Sequence, residues 1–350
     1  MTLRVGLFGC GRIAGYFHAP ILARLPGVSV TALADRDAGA RKRFAAILPG
    51  ATLYADWRRP LELGEVDAAV ICLPPAQHAP AAIAAFEAGA HVYVEKPLAL
   101  TLAEADAMIA AQQASGRVGM VGLNFRRHPA VLALRERLRA GEWGDLRGVR
   151  TIFTSAARVL PDWKRASGGG GDAILDLGMH HFDLLPFVTG RPIDPSSLAC
   201  RETRGADGTF AAILGAFEGG VPLSMTVGQV TGHGAQKIEL LCEKAHVLLD
   251  LAAPDRLVIE APAGRAGRVR AAAADVTRHV RRGGGDPSFA AALADFAAAA
   301  SGAASGAASG GVSGGAGSPR PDFADGRRAL LLALTAAHPR QGTGTAGDDA

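Results

Sequence analysis

One short stretch of the chain, GGGGDAILDLGMHHFDLL, concentrates ionisable side chains in an otherwise apolar run. It contains Asp176, His180, His181 and Asp183. If the stretch forms an α-helix, residues four apart share a face, which places Asp176 beside His180 and turns His181 about 100° away. Asp176 and His180 are therefore the candidate reactive pair, and His181 is interpreted as a structural or surface residue.

The chemistry open to this pair is proton transfer. A histidine that titrates near neutrality can take the proton of a hydroxyl group, and a neighbouring carboxylate can orient it and stabilise its cationic form. The oxidation of a secondary alcohol needs such a base while hydride leaves for a nicotinamide ring. The GGGG run before the helix would let the chain approach a ligand closely.

The helices and strands that must position these residues follow two different patterns along the chain. Over residues 1–125, apolar strands such as LRVGLFG, VSVTALAD and VDAAVICLP alternate with helices, which predicts a parallel sheet covered on both faces. Over residues 126–338, strands joined by hairpin turns follow a first helix, which predicts a second domain with an antiparallel sheet. Within it, residues 301–318 are predicted to be a flexible linker, and residues 339–350 a disordered tail.

The first strand leads into GLFGCGRIAG, in which Gly9, Gly11 and Ala14 match the G-x-G-x-x-G/A pattern of dinucleotide-binding turns. Gly9 permits the tight turn, Gly11 lets the backbone approach a pyrophosphate, and Ala14 keeps the helix close to the sheet. Asp35, at the end of the second strand, can bind the ribose hydroxyls and would repel a 2′-phosphate. This predicts NAD as the cofactor, while the adjacent Arg36 partly offsets that charge and leaves NADP open.

Composition disfavours several other classes of protein. The formal net charge is only +4 over 350 residues, and the basic clusters RKRF and TRHVRRGGG lack the interleaved aromatic residues of a nucleic-acid platform. The four cysteines form no CxxC unit, which disfavours a zinc ribbon or a redox pair. No apolar run approaches the length of a membrane span. We therefore expect a cytoplasmic protein with no metal, nucleic-acid or membrane partner.

Three motifs taken together resemble one known family. They are GLFGCGRIA, the Glu95-Lys96-Pro97 triplet in AGAHVYVEKPLALT, and the D-x-G-x-H-x-x-D pattern in GGGGDAILDLGMHHFD. In this order they resemble the Gfo/Idh/MocA family of NAD(P)-dependent oxidoreductases. The resemblance implies an α/β fold, with an N-terminal Rossmann parallel sheet and a C-terminal α+β domain with an open antiparallel sheet. It also implies a homodimer or homotetramer assembled through that sheet.

The resemblance also implies roles for individual residues. Lys96, Asp176 and His180 would be catalytic, with the Lys96 ammonium stabilising negative charge on the substrate oxygen. The residues implied to contact the cofactor are Gly9, Gly11, Arg12, Ile13, Asp35, Arg36, Pro74, His78, Glu95 and Lys96. Those implied to contact the substrate are Lys96, Asn124, Arg126, Asp176 and His180.

The expected function is hydride transfer between a nicotinamide cofactor and a secondary hydroxyl or keto group of a sugar, inositol or related polyol. One alternative is an NAD-dependent glycosidase of the same family, in which transient oxidation permits elimination and the cofactor is regenerated. Another is a non-catalytic NAD(H)-binding sensor, which the presence of Lys96, Asp176 and His180 disfavours. A metal hydrolase is disfavoured because no third ligand accompanies Asp176 and His180 at metal spacing.

Overall fold

The computed structural model describes residues 2–156, 171–205, 208–252, 256–260, 286–302 and 318–338. The predicted linker at 301–318 lies outside these residues except for Ser301, Gly302 and Ser318. The predicted tail at 339–350 lies wholly outside them, as does the GGGG run except for Gly171.

Six short strands, most of them strongly apolar, build the first sheet. They are β1 (Leu3–Phe8), β2 (Val28–Ala34), β3 (Thr52–Tyr54), β4 (Ala68–Ile71), β5 (His91–Val94) and β6 (Gly119–Val121). All neighbours are parallel, in the order β3-β2-β1-β4-β5-β6. This confirms the predicted Rossmann sheet, whose order reverses between β1 and β4 and opens a crevice at the carboxyl ends of those strands.

Helices connect these strands and cover both faces of the sheet. They are α1 (Ala19–Leu22), which continues a π-helical turn at Ala14–His18, α2 (Ala38–Ala45), α3 (Arg58–Glu62), α4 (His78–Glu87) and α5 (Leu102–Ser115). Thr101 and Glu104 form the reciprocal capping box at the start of α5, the local signal of a helix beginning.

Seven strands build the second sheet. They are β7 (Leu146–Ala156), β8 (Ala199–Gly205), β9 (Gly208–Ala216), β10 (Pro222–Thr231), β11 (Ala235–Cys242), β12 (His246–Asp250) and β13 (Arg256–Glu260). Their order is β13-β12-β11-β7-β10-β9-β8. The predicted hairpins are present, but the central strands β7 and β10 run parallel, so the sheet is mixed rather than purely antiparallel.

Two helices cover the inner face of this sheet. They are α6 (Pro129–Arg139) and α7 (Met179–Thr189), which follows a π-helical turn at Ile174–Gly178. Almost every residue from Ala173 to Val188 is buried. The stretch with the two histidines is therefore a core helix between the sheets.

The two final helices both contact the first sheet or its helices. In α8 (Pro287–Ala300), Leu293 and Phe296 pack in one apolar cluster with Leu7 of β1. The next helix, α9 (Phe323–Ala337), packs on both α5 and α7. Helix α8 thus packs on the first sheet although it follows the second in sequence, because its Phe and Leu spacing specifies an apolar face without specifying which sheet receives it.

In the part of the chain that the structure describes, none of the helices has the length and apolar character needed to cross a bilayer.

A candidate active site between the two sheets

The glycine-rich turn after β1 has the geometry that its sequence predicts. Gly9 has a φ of +96°, and a Cβ there would lie 2.5 Å from the carbonyl oxygen of Cys72, so the turn requires glycine at this position. A Cβ on Gly11 would meet nothing within 4 Å. The space beside Gly11 is therefore open to a ligand, as a close approach by pyrophosphate requires.

A groove of about 560 Å³ runs from this turn along the end of β2. Its walls include Gly11, Arg12, Asp35, Asp37 and Arg43. The Asp35 carboxylate accepts hydrogen bonds from the backbone N–H groups of Cys10 (2.7 Å) and Asp37 (2.8 Å), which holds it at the groove wall. The residues present thus fit an adenosine diphosphate moiety with free ribose hydroxyls.

Replacing Asp35 by serine is expected to weaken NAD binding and to relax discrimination against NADP by about 1–3 kcal/mol, because a charged acceptor for the ribose hydroxyls is lost. The measurement is the pair of dissociation constants for NAD and NADP. Asp37→Ser is the matched control, since serine also caps a helix and Asp37 caps α2. If that control relaxes discrimination equally, the overall negative charge of the groove sets the preference.

The side chain of Lys96 reaches across from the first sheet to the helix of the second. Its ammonium donates to the carboxylate Oδ1 of Asp176 (2.8 Å) and to the Asp176 backbone carbonyl (2.7 Å). Gln229 of β10 donates through Nε2 to the other carboxylate oxygen at 3.1 Å. Lys96 is 16% exposed and Asp176 7%, so this ion pair lies largely out of water at the junction.

The structure corrects the predicted partnership of Asp176 with His180. Hydrogen bonds to Asp176 come from Lys96 and Gln229, and among the described residues none is recorded from His180. The sequence argument assumed α-helical spacing, whereas Ile174–Gly178 is a π-helical turn in which residues four apart no longer align. His180 still lies close enough for the Asp176 charge to act on it.

His180 sits in an apolar setting. Its ring centroid lies 4.7 Å from that of Phe125 and 5.8 Å from that of Phe153. Burial and the nearby Lys96 ammonium lower the pKa of His180 well below its usual value, against an opposing effect of Asp176. His180 is therefore neutral at physiological pH and able to accept a proton.

His181 lies in the interior of the protein rather than at its surface. It is fully buried, and its ring stacks on Phe153 at 5.3 Å with an interplanar angle of 29°. Burial lowers its pKa to about 3. Hydrogen-bond partners for its two ring nitrogens are absent from the described part of the chain.

Glu95 and His78 are packed into the protein beside Lys96. The Glu95 carboxylate bonds the ring of His18 (2.7 Å) and accepts from the Lys96 backbone N–H (3.2 Å). Both ring nitrogens of His78 lie on backbone carbonyls, at 2.7 and 2.9 Å, which leaves none for a cofactor. The ring of His78 is thus held by the protein itself, its contact with a cofactor stays a prediction, and His18 is a partner that no motif in the sequence indicated.

Two residues expected at the substrate instead hold the fold together. Arg126, 3% exposed, makes a bidentate ion pair with Asp183 (2.5 and 2.9 Å) and a further one with Asp325 (3.0 Å). Asn124, 1% exposed, donates to the hydroxyl of Ser288 at 2.6 Å. The chain folds these side chains inward onto partners distant in sequence, which disfavours substrate contact, and the predicted contacts stay predictions.

The remaining implied cofactor residues lie along the crevice. Gly9 forms the turn, Ile13 is half-buried beneath it, and Arg36 is exposed beside Asp35. Pro74 begins the short 3₁₀ turn after β4. Their contacts with a cofactor stay predictions.

Two family models match the chain. "Oxidoreductase family, NAD-binding Rossmann fold" matches residues 3–123, and "GFO/IDH/MocA C-terminal domain" matches residues 131–248. The two matches coincide with the first sheet and with most of the second.

Similar proteins agree with these matches. The chain is 32% identical over 229 residues to a dTDP-3,4-didehydro-2,6-dideoxy-alpha-D-glucose 3-reductase of Streptomyces violaceoruber, covering 65% of this chain and 67% of the reductase. It is 33% identical over 233 residues to the trans-1,2-dihydrobenzene-1,2-diol dehydrogenase of Mus musculus, covering 65% and 68%. The crystal structure of an oxidoreductase domain protein from Kribbella flavida superposes with a TM-score of 0.80 at 26% identity, covering 96% of both chains.

Proposed function

This chain belongs to the Gfo/Idh/MocA family of oxidoreductases, and we propose that it transfers hydride between NAD and a secondary hydroxyl or keto group of a sugar, inositol or related polyol. The observation that carries the proposal is the buried contact of Lys96 with Asp176, next to a neutral His180, at the carboxyl edge of a Rossmann sheet. One relative is named a 3-reductase of a sugar nucleotide and another a diol dehydrogenase.

Cofactor binding is assigned to the glycine-rich turn and the groove along β2. The open space at Gly11 and the carboxylate of Asp35 suit the pyrophosphate and the ribose of the dinucleotide. When bound, the nicotinamide supplies the hydride acceptor or donor. The chain itself positions the reacting carbon and moves the proton.

In the direction of oxidation, the substrate hydroxyl lies between Lys96 and His180. His180, which its lowered pKa keeps in the neutral form, accepts the hydroxyl proton. The Lys96 ammonium stabilises the negative charge that develops on the oxygen. Asp176 holds that ammonium in place and stabilises the imidazolium that forms. Reduction follows the same path in reverse, with His180 returning the proton.

The test is a panel of sugars, inositols, trans-diols and sugar nucleotides, each incubated with NAD and with NADP. The expected result is accumulation of the reduced nicotinamide together with a ketone product from at least one compound. Cleavage of a glycosidic bond without net reduction of the cofactor would replace the proposal by the glycosidase alternative. Tight NADH binding without turnover of any compound would favour the sensor.

We further propose that the outer face of the second sheet joins two copies of the chain. Large apolar side chains among the described residues are exposed there, with Leu214 60% exposed and Phe210 37%. Soluble monomers seldom expose such a patch, and a two-fold axis lets one face cover itself. Leu214→Lys is expected to reduce the mass measured by sedimentation, while Lys42→Ala on the exposed side of α2 should not. A monomeric wild-type protein would contradict the proposal.

A further inference from the structure

The inner face of the second sheet carries buried polar atoms that have no partner within the described ranges. Three of them, Oγ of Ser155, Oε1 of Gln229 and Nε2 of Gln236, lie at one edge of the neighbouring strands β7, β10 and β11. We call these three residues the polar floor. Most buried side-chain polar atoms in proteins are hydrogen-bonded, so three unpartnered atoms at one edge of the sheet favour a site for a polar ligand.

Strand register places the polar floor beneath the two histidines. Gln236 lies opposite Phe153 in the pairing of β11 with β7. The Phe153 ring contacts the rings of His180 and His181. In the parallel pairing, Gly228 lies opposite Thr154, after which the register shifts. Gln229 follows directly, and its hydrogen bond to Asp176 places its side chain on the inner face.

The orientation of the Gln229 amide follows from its partner. Its nitrogen donates to the Asp176 carboxylate at 3.1 Å, and an ionised carboxylate only accepts. The amide oxygen must therefore point elsewhere, and Gln229 is only 1% exposed. A buried acceptor without a donor is destabilising, and a hydroxyl group on a ligand would supply that donor.

We propose that Gln229 determines substrate specificity by accepting a hydrogen bond from the hydroxyl on the carbon next to the reacting carbon. This inference rests on the proposed function, in which Lys96 and His180 hold the reacting oxygen. Lys96 bonds one oxygen of the Asp176 carboxylate and Gln229 bonds the other. Gln229 is therefore placed beside Lys96, where the second oxygen of a 1,2-diol would lie. The polar floor then favours vicinal diols over simple alcohols.

The experiment compares two probes that differ by one hydroxyl group, trans-cyclohexane-1,2-diol and cyclohexanol. Their dissociation constants are measured by calorimetric titration of the enzyme–NADH complex. Wild type should bind the diol roughly tenfold more tightly, the effect of one net hydrogen bond. Gln229→Met should bring the ratio of the two constants close to one. Losing the Gln229–Asp176 contact could also change how the enzyme binds the reacting hydroxyl. Both probes carry that hydroxyl, so this effect cancels in the ratio of their dissociation constants.

Thr226→Val is the matched control, because Thr226 lies on β10 with its side chain among those of the opposite face, and it should keep the wild-type ratio. If Gln229→Met does not fold, Gln229→Asn withdraws the amide by one methylene and should also lower the ratio. Equal affinity of wild type for both probes, or an unchanged ratio in the Gln229 variants, overturns the inference. Diol preference without any turnover in the substrate panel would overturn only the proposed reaction.

Discussion

His180→Ala is expected to lower kcat about 10²–10⁴-fold, the usual contribution of a positioned acid or base, with little change in NAD affinity. The alanine variant removes the group that accepts the hydroxyl proton, whereas the dinucleotide groove lies on the other sheet. The measurement is kcat on the substrate found in the panel, with the dissociation constant of NAD and a melting curve for each variant.

His181→Phe is the matched control for the histidine prediction. His181 is adjacent in sequence and equally enclosed, and phenylalanine preserves the stacking on Phe153. It should keep kcat within a few-fold of wild type. A dead His181→Phe enzyme beside an active His180→Ala enzyme would show that the proton moves through the other histidine.

The pH profile provides a second check on the same residue. Oxidation requires neutral His180, so kcat/KM should fall as the pH drops through the pKa of His180. Burial and the Lys96 charge lower that pKa, which moves the acidic limb of the profile below pH ~6.5, the ordinary value for histidine. An acidic limb above that value would contradict the assignment of His180 as the base.

Arg126→Met is expected to lower the free energy of unfolding by about 3–5 kcal/mol, because it leaves the carboxylates of Asp183 and Asp325 without the guanidinium between them. Both carboxylates are almost fully buried, so water cannot replace that charge. The measurement is urea unfolding followed by circular dichroism, comparing the midpoint and the slope with those of wild type.

Arg127→Met is the control for this second prediction. Arg127 is the next residue, and its ion pair with Asp295 is about a quarter exposed on each side, so its loss should change stability by less than about 1 kcal/mol. If Arg126→Met instead unfolds like wild type but raises KM strongly, Arg126 binds substrate as the sequence first indicated.

Features with a local cause could be predicted from the sequence. The turn at Gly9, the acid at the end of β2 and the capping box of Thr101 and Glu104 each depend on residues a few positions apart. The same is true of the hairpins in the second sheet. Their structures follow from steric contacts and hydrogen bonds between residues that are close together in the sequence.

The contacts that build the site could not be predicted in this way. Lys96 and Asp176 are 80 residues apart, and Arg126 and Asp325 are 199 apart. Periodicity gives the face of an element but not its partner, so Asn124 and Arg126 were assigned to a ligand rather than to the interior. The π-helical turn before α7 was also missed, because such turns are rare and an apolar pattern does not distinguish them from an α-helix.

The docking of α8 on the first sheet has a consequence for synthesis on the ribosome. The Rossmann strands are complete once residue 121 has emerged, but Leu293 and Phe296, which cover Leu7 and its neighbours, follow far behind. At about 5–20 residues per second, the ribosome needs roughly ten to thirty seconds to reach them. During that interval the nascent chain presents an uncovered apolar surface, which leaves it prone to aggregation until α8 docks.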